Sequence, residues 1–145
     1  MSADTILAIQ RTIGLYGQLL DDLRMDEWSR LFTEDAVWTM PGVRLEGRDR
    51  IARGVRKMEP DTPGLVRHLA FVPVIALDGD DAARAWTDFL FLARDNLADP
   101  WKLLLAGRYC DILVRDEGKW RFRQRVCDYD PANRPTLAFE PSPTA

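Results

Sequence analysis

The chain has 145 residues, 46% of them hydrophobic and 30% charged, with a formal net charge of -3, which fits one soluble domain with a single core. No run of about 18 apolar residues exists for a membrane helix, and Met1 to Gln10 lacks the basic start, apolar core and small-residue cleavage site of a secretory signal, so a cytoplasmic protein with no membrane partner is expected. Seventeen Arg and three Lys are interspersed with twenty-three acids and form no electropositive stripe, while two cysteines without a CxxC and a single histidine, His68, leave too few ligands for zinc. These features argue against nucleic acid, a metal centre and a disulfide scaffold.

Apolar residues at Ile6, Ile9, Ile13, Tyr16, Leu20 and Leu23 recur in steps of three and four and predict a helix over Thr5 to Leu23. A short second helix is expected from Asp26 as N-cap through Trp28, Leu31 and Phe32. Ala36 to Met40 reads as a brief strand ended by Pro41-Gly42. After Gly47 a third helix places Ile51, Val55 and Met58 on one side and its basic residues in solvent, and Pro60 and Pro63 stop it.

Beyond Pro63 the period changes. Leu65 to Leu77, Ala82 to Ala93, Trp101 to Val114 and Lys119 to Tyr129 are four extended stretches, separated by Asp78-Gly79-Asp80, a polar loop around Asn96 to Pro100, and Asp116-Glu117-Gly118. Helices first and a meander afterwards is the pattern of an α+β domain. Strands of this length exceed the usual five or six residues or so and curl, so a curved antiparallel or mixed sheet wrapped around the N-terminal helices is expected, enclosing an apolar pocket. Residues 1–130 read as one domain and 131–145, with four prolines, as a flexible tail.

Tyr16 followed by Asp21, then Trp28 to Phe32 and Glu34-Asp35-Ala36 before a strand, Gly47 opening a helix, Arg67-His68, Gly107-Arg108-Tyr109, and Gly118-Lys119-Trp120-Arg121-Phe122 stand in an order that resembles the SnoaL-like branch of the nuclear-transport-factor-2-like superfamily, over about residues 5 to 130. The resemblance implies a cone-shaped domain with a deep pocket, assembled as a homodimer or homotrimer. Dehydratase-like members, such as the scytalone and bile-acid dehydratases, share a Tyr on the first helix, an Asp five residues later and a His at the first long strand, matched here by Tyr16, Asp21 and His68, and sometimes an Arg in the last strand, matched by Arg125. The second histidine of scytalone dehydratase has no counterpart here. Because the superfamily also holds cyclases, isomerases and the small subunits of ring-hydroxylating dioxygenases, fold alone names no reaction.

Chemically, an Asp that holds one imidazole nitrogen leaves the other free to remove a proton, and a phenol can donate to the oxygen that gains charge. The expected activity is therefore a cofactor-independent lyase or isomerase, of dehydratase or cyclase type, acting on a hydrophobic, cyclic small molecule. The alternative is a non-catalytic ligand-binding or assembly subunit.

Each residue also has a structural reading: His68 as a strand residue bonded to backbone, Asp21 as a surface or capping residue beside Asp22 and Asp26, Tyr16 as a core aromatic. Five residues are about 140° on a helix, so pairing Asp21 with the site needs the helix to end there. His68 shares strand parity with Val66 and Ala70, a parity that a bulge at Pro73 would reverse downstream. Arg121, Arg123 and Arg125 alternate on one strand face, read as solvated or as a subunit contact, with Arg125 turned inward only if the strand is bulged. Trp38, Trp86 and Tyr109 are the expected aromatic lining of the pocket.

Overall fold

The computed structural model describes residues 2–129; the proline-rich tail expected at 131–145 lies outside the described residues. Ten elements follow one another: α1 (Ala3–Asp21), α2 (Met25–Ser29), β1 (Phe32–Met40), β2 (Val43–Glu46), α3 (Arg48–Arg56), β3 (Val66–Ala70), β4 (Val74–Leu77), β5 (Ala82–Ala93), β6 (Lys102–Asp116) and β7 (Lys119–Asp128). The strands make one unclosed sheet in the order β2-β1-β7-β6-β5-β3, with β4 also paired to β5. Every pairing is antiparallel except β1 with β7, which is parallel. The expected mixed α+β architecture is what forms.

Helix α1 buries Ile9, Ile13, Tyr16 and Leu20, the middle of its apolar stripe, against the concave side of the sheet. Trp28 of α2 and Ile51 and Val55 of α3 complete one core with Phe32, Phe89, Leu113 and Phe122. Turn chemistry sets the hairpins. Glu117 and Gly118 both take positive φ, 50° and 75°, as a two-residue turn between right-twisted strands demands.

Several expectations change, among them the second helix, which stops at Ser29 so that Phe32 opens β1. Leu65 to Leu77 is two strands, because Pro73 lacks the N–H that continuous pairing would need; β3 pairs with Phe89 to Ala93 of β5 and β4 with Ala83 to Trp86. Parity reverses across the break: Val66 and His68 face inward on β3, whereas Ile75 and Leu77 pack on the core from β4. A short strand, β2, stands where only a turn and loop were expected, pairing Val43 to Glu46 with β1. Arg24, not Asp26, is the N-cap of α2, and Asp26 instead lies in its first turn, where an acid complements the helix dipole.

Candidate active site

Helix α1 ends at Asp21, so the 140° offset from Tyr16 does not keep its carboxylate from the site. Asp21 is 5% exposed and accepts two hydrogen bonds from one residue: the His68 backbone N–H at 3.0 Å and the imidazole Nδ1 at 2.6 Å. A carboxylate only accepts, so Nδ1 carries a proton, and in the neutral imidazole the lone pair is then on Nε2. Asp22 and Asp26 are exposed, which separates Asp21 from its neighbours.

Gly17 makes this contact possible. One helical turn before Asp21, it faces β3 so closely that a Cβ there would lie 2.5 Å from the His68 carbonyl oxygen. Absence of a side chain lets α1 press on the β3 backbone and brings Asp21 within bonding distance.

The ring of His68 borders a cavity of about 170 Å³ lined mainly by apolar and aromatic groups, among them Leu20, Trp38, Met40, Phe89, Phe91, Leu105 and Tyr109. Tyr16 stands across from it, ring centroids 6.4 Å apart and nearly perpendicular. Its hydroxyl oxygen accepts a hydrogen bond from Trp38 Nε1 at 3.0 Å, and the hydroxyl also meets the Cys127 side chain. Burial pushes the Tyr16 phenol well above its ordinary pKa, opposed in part by the Arg125 charge, so Tyr16 is a neutral donor. Burial likewise drives the Cys127 thiol up to about 12, so this cavity residue carries no thiolate.

Two expected pocket residues stand elsewhere. The strand pairing shifts between Ile112 and Leu113 of β6, which oppose Gln124 and Phe122; Arg123 is the extra residue, and this bulge turns Arg125 inward. Yet Arg125 does not line the cavity. It is wholly buried, forms two hydrogen bonds with Asp111 at 2.8 and 2.7 Å, and is covered by Tyr16 and Tyr109, whose ring centroids lie 4.1 and 3.9 Å from its guanidinium carbon. It braces the aromatic lining from behind. Trp86 has the parity opposite to Phe89 on β5 and is on the other sheet face, against Arg84; Trp38 and Tyr109 are in the lining as expected.

Sequence reasoning passes over the cavity residues Glu59, Cys127 and Tyr129. Glu59 lines the same cavity and brings Oε1 to 3.9 Å from His68 Nε2. Its sequence signal is spacing: Ile51, Val55 and Glu59 are four apart, and Glu59 stands in the turn after α3, just before Pro60. Among the described residues no three His, Cys, Asp or Glu side chains converge to hold a metal ion. Nor is any helix there long and apolar enough to cross a membrane.

The chain is similar in structure to a candidate scytalone dehydratase from Novosphingobium aromaticivorans, with 23% identity over 97% of this chain and 95% of that one and a TM-score of 0.75. Similar values, 24% identity over 92% and 94% and a TM-score of 0.75, relate it to the beta subunit of a candidate aromatic-ring-hydroxylating dioxygenase from the same organism. A protein of unknown function from Mycobacterium tuberculosis shares 25% identity over 87% of this chain and 72% of that one, with a TM-score of 0.77. No curated protein matches. The family profile of the SnoaL-like domain matches residues 1–126, the span that holds Tyr16, Asp21 and His68, and the chain belongs to that family, within the nuclear-transport-factor-2-like superfamily.

Proposed function

We propose that the protein is a cofactor-independent lyase or isomerase for a small hydrophobic ring compound, with His68 as general base, Asp21 as its positioning partner and Tyr16 as the electrophilic donor. The observation that carries this reading is the Asp21–His68 pair at the edge of an open apolar cavity, with Nε2 unpartnered by any hydrogen bond among the described residues. Nε2 takes a proton from carbon beside a carbonyl, Asp21 stabilises the resulting imidazolium, and Tyr16 donates to the carbonyl oxygen as negative charge develops there. In an elimination the electron pair of the broken C–H bond becomes the double bond and a β-hydroxyl leaves; in an isomerisation the proton returns to another carbon.

Cavity size limits the substrate. An apolar cavity of roughly 150 Å³ accommodates benzene, so about 170 Å³ suits one ring with short substituents. Likeness to the candidate scytalone dehydratase favours dehydration. Likeness to the dioxygenase beta subunit supports a second reading, a binding or assembly subunit, but such a role gives no reason for an imidazole held by a carboxylate at the edge of the cavity. We further propose a homodimer or homotrimer, because Leu69, Phe71, Val72 and Val74 on β3, β4 and the link between them are 43%, 55%, 84% and 47% exposed, an apolar surface that association would cover.

The test is α-proton exchange of cyclohexanone in D2O, followed by proton NMR. The wild-type chain is expected to accelerate exchange, and His68→Ala to lower the rate by about 10²–10⁴-fold. Equal rates for His68→Ala and wild type, both folded, would overturn the assignment.

A further inference from the structure

The cavity contains a second proton-bearing group whose position suits it to the other half of an elimination. The Glu59 side chain is only 6% exposed, and its Oε2 is buried with no hydrogen-bond partner among the described residues. A buried carboxylate with an empty acceptor is costly, on the order of 1–3 kcal/mol or more, whereas a neutral carboxyl has a proton to offer a ligand. The 3.9 Å separation from His68 Nε2 is too long for a direct hydrogen bond.

Charges around Glu59 do not neutralise it by pairing. The groups that face it are His68 on β3, Asp21 at the end of α1, and Arg56 on α3, with the cavity's Tyr16, Tyr109, Cys127 and Tyr129 beyond. Arg56 directs one nitrogen to the Glu59 backbone carbonyl and another to Asp61. Burial outweighs the His68 and Arg56 charges and pushes the Glu59 carboxyl above its ordinary range, and Asp21 adds to the rise.

Resting on the base assigned above, we propose that Glu59 is the general acid that protonates the leaving hydroxyl of a β-hydroxy carbonyl substrate, and that it is recharged by His68. In the forward step the C–H proton passes to His68 Nε2, the C–H electron pair forms the C=C bond, and the C–O pair leaves on oxygen, which takes the Glu59 proton to become water. The products are the unsaturated carbonyl compound, water, an imidazolium and a carboxylate. These two ions then face one another across the 3.9 Å gap; once the unsaturated product leaves, a water molecule bridging that gap relays the proton from Nε2 to Glu59, and both groups regain their starting states with no net proton taken from solvent.

Two measurements test this on the full chain. In infrared difference spectra at neutral pH, wild type minus Glu59→Gln shows a protonated carboxyl C=O band; absence of that band means an ionised Glu59 and overturns the proposal without any substrate. With 3-hydroxycyclohexanone as probe, followed by the ultraviolet absorbance of cyclohexenone, Glu59→Gln lowers kcat by about 10²–10⁴-fold, at least ten times more than it lowers cyclohexanone exchange, and Glu59→Asp restores part of the loss. Equal losses in the two reactions, or dehydration within threefold of wild type, reject Glu59 as the acid while leaving the base standing. Exchange no faster in wild type than in His68→Ala rejects the base, and the acid role that rests on it falls too.

Discussion

Gly14 and Gly17 occupy the same helix one turn apart, and replacing each with alanine should move stability in opposite directions. Glycine inside a helix costs about 0.8–1.0 kcal/mol relative to alanine. Gly14 is exposed and a Cβ there meets nothing within 4 Å, so Gly14→Ala should stabilise the protein by nearly that amount. At Gly17 the same gain is opposed: the new Cβ lies 2.5 Å from the His68 carbonyl oxygen and 3.2 Å from the His68 Cβ. Reaching ordinary contact at 3.4 Å means separating α1 from β3 by about 0.9 Å, and the obstacle is backbone, which has no rotamer to change. Overpacking of this kind costs about 1–3 kcal/mol, so the two variants should differ by roughly that much, with Gly17→Ala the weaker.

The separation also acts on the site, because the Asp21–His68 bonds at 2.6 and 3.0 Å would stretch beyond bonding range if β3 moved away. Urea unfolding at equilibrium measures the stability difference, valid where m is the same for both variants. Since His68 is the chain's single histidine, its downfield Nδ1–H resonance in 15N-edited NMR reports the pair without ambiguity, and it should weaken in Gly17→Ala but persist in Gly14→Ala. A Gly17→Ala protein as stable as Gly14→Ala, with that resonance unchanged, would refute the close-approach reasoning.

Further outcomes follow from the same geometry. Asp111→Asn leaves the buried Arg125 charge without its partner and should cost about 3–5 kcal/mol in chemical denaturation, since both side chains are wholly buried. Asp21→Asn should abolish the Nδ1–H signal and slow cyclohexanone exchange while the far-ultraviolet circular dichroism stays native. Burial raises the Glu59 carboxyl above its ordinary 4.5, so the folded protein retains a proton that the unfolded chain releases, and stability falls as pH rises from about 4.5 through the raised folded value; Glu59→Gln should lack this decline, so wild type loses stability relative to the variant across that interval in parallel urea titrations. Phe71→Glu places a charge on the exposed apolar surface where β3 runs into β4 and should shift the mass measured by light scattering towards one protomer; an unchanged mass would remove that surface as the interface.

Local chemistry makes much of this protein legible in its amino-acid order. Period, turn residues and proline positions place the three helices and the long strands, because each signal depends on neighbours within a few residues. The single histidine and the spacing of Tyr16, Asp21 and His68 name a site, on the strength of a family resemblance rather than of any one motif.

Tertiary structure decides what those residues do to each other. Whether Asp21 or Asp22 reaches the site depends on where α1 stops, and the closeness of α1 to β3 on a glycine that looks ordinary in sequence. A single extra residue in β7 turns Arg125 from the outer face into the core, where Asp111 and two tyrosine rings enclose it. Strand parity puts Trp86 outside, and the turn after α3 carries Glu59 to His68. Contacts between residues 47 positions apart, as in Asp21 and His68, arise from the curvature and register of the whole sheet, and no short-range pattern encodes them.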